Sequence, residues 1–209
     1  MQIDMQSACR HSYSNASVKI RKEMENTMKE IQFLKGERVY LRPFTEEDTD
    51  FFDVWYNEAQ TRAKIGAPYP TTAAQSLQCV QRSGHDCIWL AIVTCGKHEV
   101  IGEIGLLRMF PAWGTSDLTI IIPHEAHQGK GYGTEAIRLL MDYAFGDLGF
   151  HRLAIGVVGF NTDALRFYKK NGFKKEGIQE DGYYYHYEYH DFIMMRILKE
   201  EFLQLIRQK

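Results

Sequence analysis

Cysteine is scarce in this 209-residue chain: Cys9, Cys79, Cys87 and Cys95 are the full set, and no two stand in a C-x-x-C pair. That spacing excludes a thiol metal finger and a dithiol redox motif. A chain of this length builds its own hydrophobic core and needs no disulfide framework, so reduced thiols are the expected state. An excess of one charge is missing too. Lys and Arg number 25 against 27 Asp and Glu, a net charge of −2, whereas sequence-independent binding to nucleic acid or an anionic membrane requires a basic surplus. Neither partner is expected. Apolar runs stop after a handful of residues, far short of the roughly 20 that cross a bilayer. Residues Met1–Ala16 show no basic start followed by an apolar stretch, so no secretory signal is expected and the expected address is the cytoplasm. The histidines are scattered and none is joined by a cysteine, so no zinc or other metal site is expected.

What remains is an ordinary globular composition, 44% hydrophobic and 25% charged. Residues 1–28 read as a polar lead-in, mobile or loosely attached, and residues 29–209 as a single domain undivided by linker or repeat. Arg38–Arg42 reads as a strand. Thr45-Glu46-Glu47-Asp48 has the form of a capping box opening a helix through Phe52, Val54 and Trp55. A second helix is expected from near Thr72 through Val80. Ile88–Val93 is a short continuous apolar run, as in a strand covered on both faces, and Cys95–His98 turns it into Val100–Leu106. Leu118–Ile122 is a further buried strand. Ala136, Ile137, Leu140, Met141, Ala144 and Phe145 recur at helical spacing and define one core face. Arg152–Val158 reads as a strand, Asp163–Lys170 as a short helix closed by Asn171-Gly172, and Phe173–Glu176 and Tyr189–Leu198 as late strands. Strands before, between and after helices imply an α/β (α+β) fold with a mixed sheet.

Of 17 glycines, the densest cluster is Gln128-Gly129-Lys130-Gly131-Tyr132-Gly133-Thr134, between a strand and a helix. Such a turn points free N–H groups outward, adds the positive end of the helix dipole and lets the backbone approach a phosphate closely. A Walker loop fails because Gly131 is not followed by Lys-Ser or Lys-Thr. A dinucleotide loop fails because the last glycine place, counted from Gly129, is Thr134.

The pattern that fits is Gln-x-x-Gly-x-Gly, and here the chain resembles the GCN5-related N-acetyltransferase family. The second segment, Asn161…Ala164…Tyr168…Gly172-Phe173, is similar to that family's other cofactor segment and follows in the family's order. Leu41-Arg42-Pro43…Asp48 and Gly177…Asp181-Gly182…His190-Asp191 look most like the branch that acetylates ribosomal-protein N-termini or spermidine. The resemblance implies a central, splayed mixed sheet flanked by helices, acetyl-CoA as co-substrate, and direct acetyl transfer to a primary amine of a protein N-terminus, polyamine or other small amine. It also implies a homodimer. A catalytically silent acetyl-CoA-binding sensor or interaction module is the alternative.

By resemblance, Ile120, Ile121 and Ile122 would meet the pantetheine arm through main chain. Gln128, Gly129, Lys130, Gly131, Tyr132, Gly133 and Thr134 would take the pyrophosphate. Asn161 would hydrogen-bond the cofactor arm and Ala164 would leave room for it. Tyr168 is the general acid for the departing thiolate, or else an aromatic packed beside Leu165. An alkyl amine titrating near 10.4 is mostly protonated at pH 7, a penalty of about 4–5 kcal/mol on its nucleophilic form. A base is therefore needed, and the candidates are Glu103 and Asp117, directly or through water; each is otherwise a strand residue, Glu103 an exposed one. His127 reads as a loop histidine. His186, His190 and the Tyr183–Tyr189 tract either line an acceptor site, with Glu180, Asp181 and Glu188 as acidic groups, or pack across a hairpin.

Overall fold

The structure is a computed structural model that describes residues 31–66, 69–81 and 83–207. The expected lead-in over residues 1–28, with Cys9, lies outside the described residues. The strands are β1 (Leu34–Lys35), β2 (Val39–Arg42), β3 (Ile88–Thr94), β4 (Val100–Phe110), β5 (Thr115–Ile121), β6 (Arg152–Val158), β7 (Lys174–Tyr185) and β8 (Glu188–Leu198). The helices are α1 (Thr49–Trp55), α2 (Ala59–Ile65), α3 (Ala73–Val80), α4 (Tyr132–Gly146), α5 (Thr162–Lys170) and α6 (Lys199–Arg207). All eight strands join one sheet in the order β1-β2-β3-β4-β5-β6-β8-β7. Every neighbouring pair is antiparallel except β5–β6, which is parallel, so the fold is mixed α/β.

Period-two alternation sorts the central strands onto two faces. Leu90, Ile92, Ile104, Leu106 and Leu118 pack with Ala136, Ile137, Leu140, Met141, Ala144 and Phe145 of α4. Ala91 and Val93 point the other way, into Tyr40, Phe44, Phe51, Phe52, Tyr56 and Cys79. The apolar run of β3 is thus covered on both sides, as its lack of alternation predicts. Each large side chain buried this way contributes about 1.5–3 kcal/mol of transfer free energy.

The capping box at Thr45–Asp48 opens a short 3-10 turn that runs into α1. Asp48 also accepts from both terminal nitrogens of Arg42, at 2.7 and 3.0 Å, inside the protein. A bidentate buried pair thereby fixes the end of β2 to the start of α1.

Several elements differ from the expectation. Strand β4 runs on to Phe110, past a register break between Leu107 and Phe110 where Arg108 takes φ 47°. Helices α2 and α6 were not anticipated. Strand β7 is twelve residues long and crosses the turn-forming Gly177 and Gly182, because register shifts at Lys175/Gly177 and Gln179/Tyr183 absorb the extra residues. Among the described residues no helix is long and apolar enough to cross a membrane.

Candidate active site

The parallel pair β5–β6 is joined only at Thr115–Asp117 with Arg152–Ala154. Beyond Asp117 the strands diverge, so β5 keeps its ladder to β4 and loses the one to β6. Ile120, Ile121 and Ile122 are consequently half-buried rather than core, and they form one wall of a cavity of about 1250 Å³. Ile155, Gly156, Val157 and Val158 of β6 form the facing wall. Main-chain groups freed by the splay face a ligand-sized cleft, and they must be satisfied by water or a bound molecule.

The glycine loop closes one end. Gly131 is the N-cap of α4 with φ 86°, a left-handed conformation that strains any side chain. A Cβ there would also lie 2.8 Å from Nη1 of Arg38. That guanidinium donates to the carbonyl of Lys130 at 3.0 Å, and the main-chain N–H of Arg38 donates to Glu135 of α4 at 2.9 Å. Gln128 folds back, its Nε2 donating to the carbonyls of Ile122 at 2.9 Å and Pro123 at 3.2 Å. The loop is thus tied to β2 and to the end of β5. All of Gln128, Gly129, Lys130, Gly131, Tyr132, Gly133 and Thr134 line the cavity. The chemistry of this end, glycine N–H groups at a helix N-terminus beside Arg38 and Lys130, suits a pyrophosphate.

The opposite wall comes from α5. Asn161 caps that helix, its Oδ1 accepting from the N–H of Ala164 at 3.2 Å, which leaves its Nδ2 donors for a ligand in the assigned amide orientation. Asn161, Ala164 and Tyr168 all line the cavity. Tyr168 is 5% exposed and packs against Phe167 and Phe173, with ring centroids 5.2 and 5.5 Å away. The ring is core, and the residue also borders the cavity. Burial pushes its hydroxyl above the ordinary phenol value, so it is held as a protonated donor.

The two expected bases are not equivalent. Glu103 is 0% exposed, so it is no exposed strand residue; its Oε1 accepts from the hydroxyl of Tyr56 at 2.5 Å. Tyr56 lines the cavity and Glu103 does not. Asp117 lies outside the lining and forms an ion pair with Arg108 on the outer side of the bulge. His127 borders the cavity from a 3-10 turn, with Nε2 3.5 Å from Glu99.

The tyrosine tract divides by strand alternation. Tyr183 lines the cavity and its hydroxyl donates to the carbonyl of Ala63 at 2.8 Å, tying the β7–β8 hairpin to α2. Tyr184 pairs with Tyr189 across the hairpin on the exposed side, ring centroids 5.0 Å apart. His186 and Tyr187 make the turn, both at positive φ, and His190 packs on Phe160. Glu180, Asp181 and Glu188 do not border the cavity; its carboxylates are Glu58, Glu125 and Asp163. Sequence reasoning missed Tyr56, Glu58, Thr61, Lys64 and Trp89, which also line the cavity. None belongs to a motif, and only the packing of α1 and α2 on the sheet brings them there.

A splayed mixed sheet whose cleft ends in a glycine-rich helix N-terminus defines an acyl-CoA transferase fold. The acetyltransferase (GNAT) domain profile matches residues 38–174. The chain is 30% identical to the probable N-acetyltransferase YjcK of Bacillus subtilis over 164 residues, covering 69% of this chain and 85% of that one. It is 30% identical to the spermidine N(1)-acetyltransferase of Escherichia coli over 166 residues, 79% of this chain and 88% of the relative. The solved spermidine N-acetyltransferase of Vibrio cholerae, in complex with CoA and spermine, superposes with a TM-score of 0.74 over 80% of this chain and 99% of its own, at 21% identity. The chain belongs to the GNAT acetyltransferase family and is an acetyl-CoA-dependent N-acetyltransferase that acts on amines. The silent-sensor alternative is not favoured.

Proposed function

We propose that the acceptor is a polyamine or a similar small alkyl amine. The carrying observation is the acceptor end of the cavity, where Tyr56, Trp89 and Tyr183 supply aromatic walls and Glu58 a carboxylate. Such a lining attracts an extended organic cation through ring quadrupoles and charge. Lys64 shares the rim and would keep a polycation from lying along α2. The name of the Escherichia coli relative supports the same class.

In this reading the loop 128–134, with Arg38, takes the pyrophosphate of acetyl-CoA. Main chain of Ile120, Ile121 and Ile122 and the amide of Asn161 hold the pantetheine arm, for which Ala164 leaves room. When bound, acetyl-CoA supplies an activated acyl group. Tyr168 donates a hydrogen bond, then a proton, to the departing sulfur. A free thiol titrates near 8.5 and a tyrosine near 10, so complete transfer is uphill by about 2 kcal/mol even before burial. Stabilisation by Tyr168 is therefore mainly a charge-assisted hydrogen bond, with the proton moving late. Asp117 is assigned no step. A cytoplasmic location and a homodimer accompany this proposal.

The test is thiol release with spermidine, spermine, an N-terminal alanine peptide and an amino sugar as acceptors, followed by mass spectrometry of the products. Polyamines should give the highest kcat/KM. Saturable acetylation of the peptide with none of the polyamines would refute the proposed acceptor.

A further inference from the structure

Glu135 is out of place by charge. It stands in the first turn of α4, directly after the glycine loop, where a carboxylate repels the phosphate that the loop suits. Its partners lie outside the helix. Oε1 accepts from the main-chain N–H of Arg38 at 2.9 Å and from that of Val39 at 3.4 Å. The carboxylate thus sits in the turn between β1 and β2, which Gly36 closes by donating its N–H to the carbonyl of Val39 at 2.9 Å. A Cβ on Gly36 would collide with that carboxylate, so the turn is shaped around it.

The carbonyl of Arg38 accepts from the N–H of Cys95 at 2.8 Å, so both main-chain groups of Arg38 are fixed. From this pinned position its side chain reaches the glycine loop, where Nη1 donates to the carbonyl of Lys130 at 3.0 Å. A guanidinium carries five N–H donors, so that bond leaves others for a ligand. Arg38 lines the cavity and Glu135 does not.

We propose that Glu135 is a positioning residue for acetyl-CoA: it fixes the main chain of Arg38 so that the guanidinium is held ready for the diphosphate. The assignment rests on the acetyl-CoA reading of the cavity. Arg38 is exposed, and an exposed arginine samples many rotamers. Ordering it before the ligand arrives removes that cost from binding. Charge and positioning predict opposite signs. If charge were its only effect, removing the Glu135 carboxylate would tighten the grip on a phosphate. If Glu135 orients Arg38, the grip loosens.

Calorimetric titration compares the unaltered protein with Glu135→Ala, Glu135→Asp, Arg38→Met and the double variant Glu135→Ala/Arg38→Met. The ligands are CoA, dephospho-CoA, which lacks the 3′-phosphate, and pantetheine, read by competition. Binding is measured, so the result does not depend on which amine accepts. Arg38→Met should weaken CoA and dephospho-CoA by about 10- to 100-fold, the worth of one hydrogen bond to a charged group, and pantetheine by less than about 2-fold. Glu135→Ala should weaken the same two by about 3- to 10-fold, the ordering cost of one long side chain. The double variant should lose no more than Arg38→Met alone, because Glu135 acts through Arg38. Tighter CoA binding in Glu135→Ala, losses that multiply in the double variant, or an equal loss for pantetheine overturn the proposal. So does a loss confined to CoA, which would place Arg38 at the 3′-phosphate. If Glu135→Ala does not fold, Glu135→Asp decides: it keeps the charge but is one methylene short of the turn, so the same 3- to 10-fold fall is expected and an unchanged affinity refutes positioning. If the unaltered protein binds CoA no better than pantetheine, the acetyl-CoA reading falls and the proposal with it.

Discussion

Tyr168→Phe separates chemistry from packing at the centre of the site. The ring is buried between Phe167 and Phe173, and phenylalanine keeps every one of those contacts. Among the described residues no side chain or main-chain group hydrogen-bonds the Tyr168 hydroxyl, so its removal leaves no protein partner unsatisfied. Stability should therefore change by less than about 1 kcal/mol, since no protein hydrogen bond is lost and the ring contacts are kept. Activity should respond otherwise. A hydrogen bond to a charged group is worth about 1.5–3 kcal/mol, and the developing thiolate exists only in the transition state. That predicts a fall in kcat of roughly 10- to 150-fold. A thioester sulfur is a weak acceptor, so acetyl-CoA affinity should move by less than about threefold. Thiol release at saturating acceptor gives kcat, calorimetric titration gives the affinity, and urea unfolding gives the stability. An unchanged kcat would remove Tyr168 from the mechanism and leave it a packing residue.

Other consequences follow from the ion pairs. Asp48→Ala strands the buried guanidinium of Arg42 and should cost about 3–5 kcal/mol in urea unfolding; a loss under 1 kcal/mol would mean that the pair is relieved by solvent. Burial alone would raise the carboxyl of Glu201, but hydrogen bonds from Arg196, Lys174 and the N–H of Leu198 outweigh it and bring the group down to about 2. Because the folded value lies below the unfolded one, the stabilisation is present above about pH 4.5 and is lost as pH falls toward 2. Glu201→Gln should thus lower stability by about 2 kcal/mol at pH 7 and by almost nothing near pH 2; the same deficit at both would refute this linkage.

Much of the scaffold was legible along the chain. Helix α4 carries its six core residues at helical spacing, and each is fully or almost fully buried. The glycine loop and the Asn161–Tyr168 segment were recognisable because local backbone needs, such as left-handed Gly131 and the Asn161 cap, impose residue types at fixed positions. The long β7 was illegible for the reverse reason. Gly177 and Gly182 are turn signals locally, and only the ladder to β8 overrides them through bulges. Helix α6 was likewise missed; its Phe202 finds its partner in Phe145 of α4, far away in sequence.

The scarcity of charge bias and cysteine and the glycine loop were matters of sequence, because composition and local conformation are properties of short segments; the splayed sheet was only what the family resemblance implied. The rest of the cavity wall was not. Tyr56 meets Glu103 across 47 residues, and Tyr183 meets Ala63 across 120. Whether a carboxylate on a strand faces water, an arginine or a buried tyrosine is set by register and by which helices cover the sheet. Glu103 and Asp117 look alike in the chain, and tertiary structure alone sends one beneath the cavity wall and the other to Arg108 outside it.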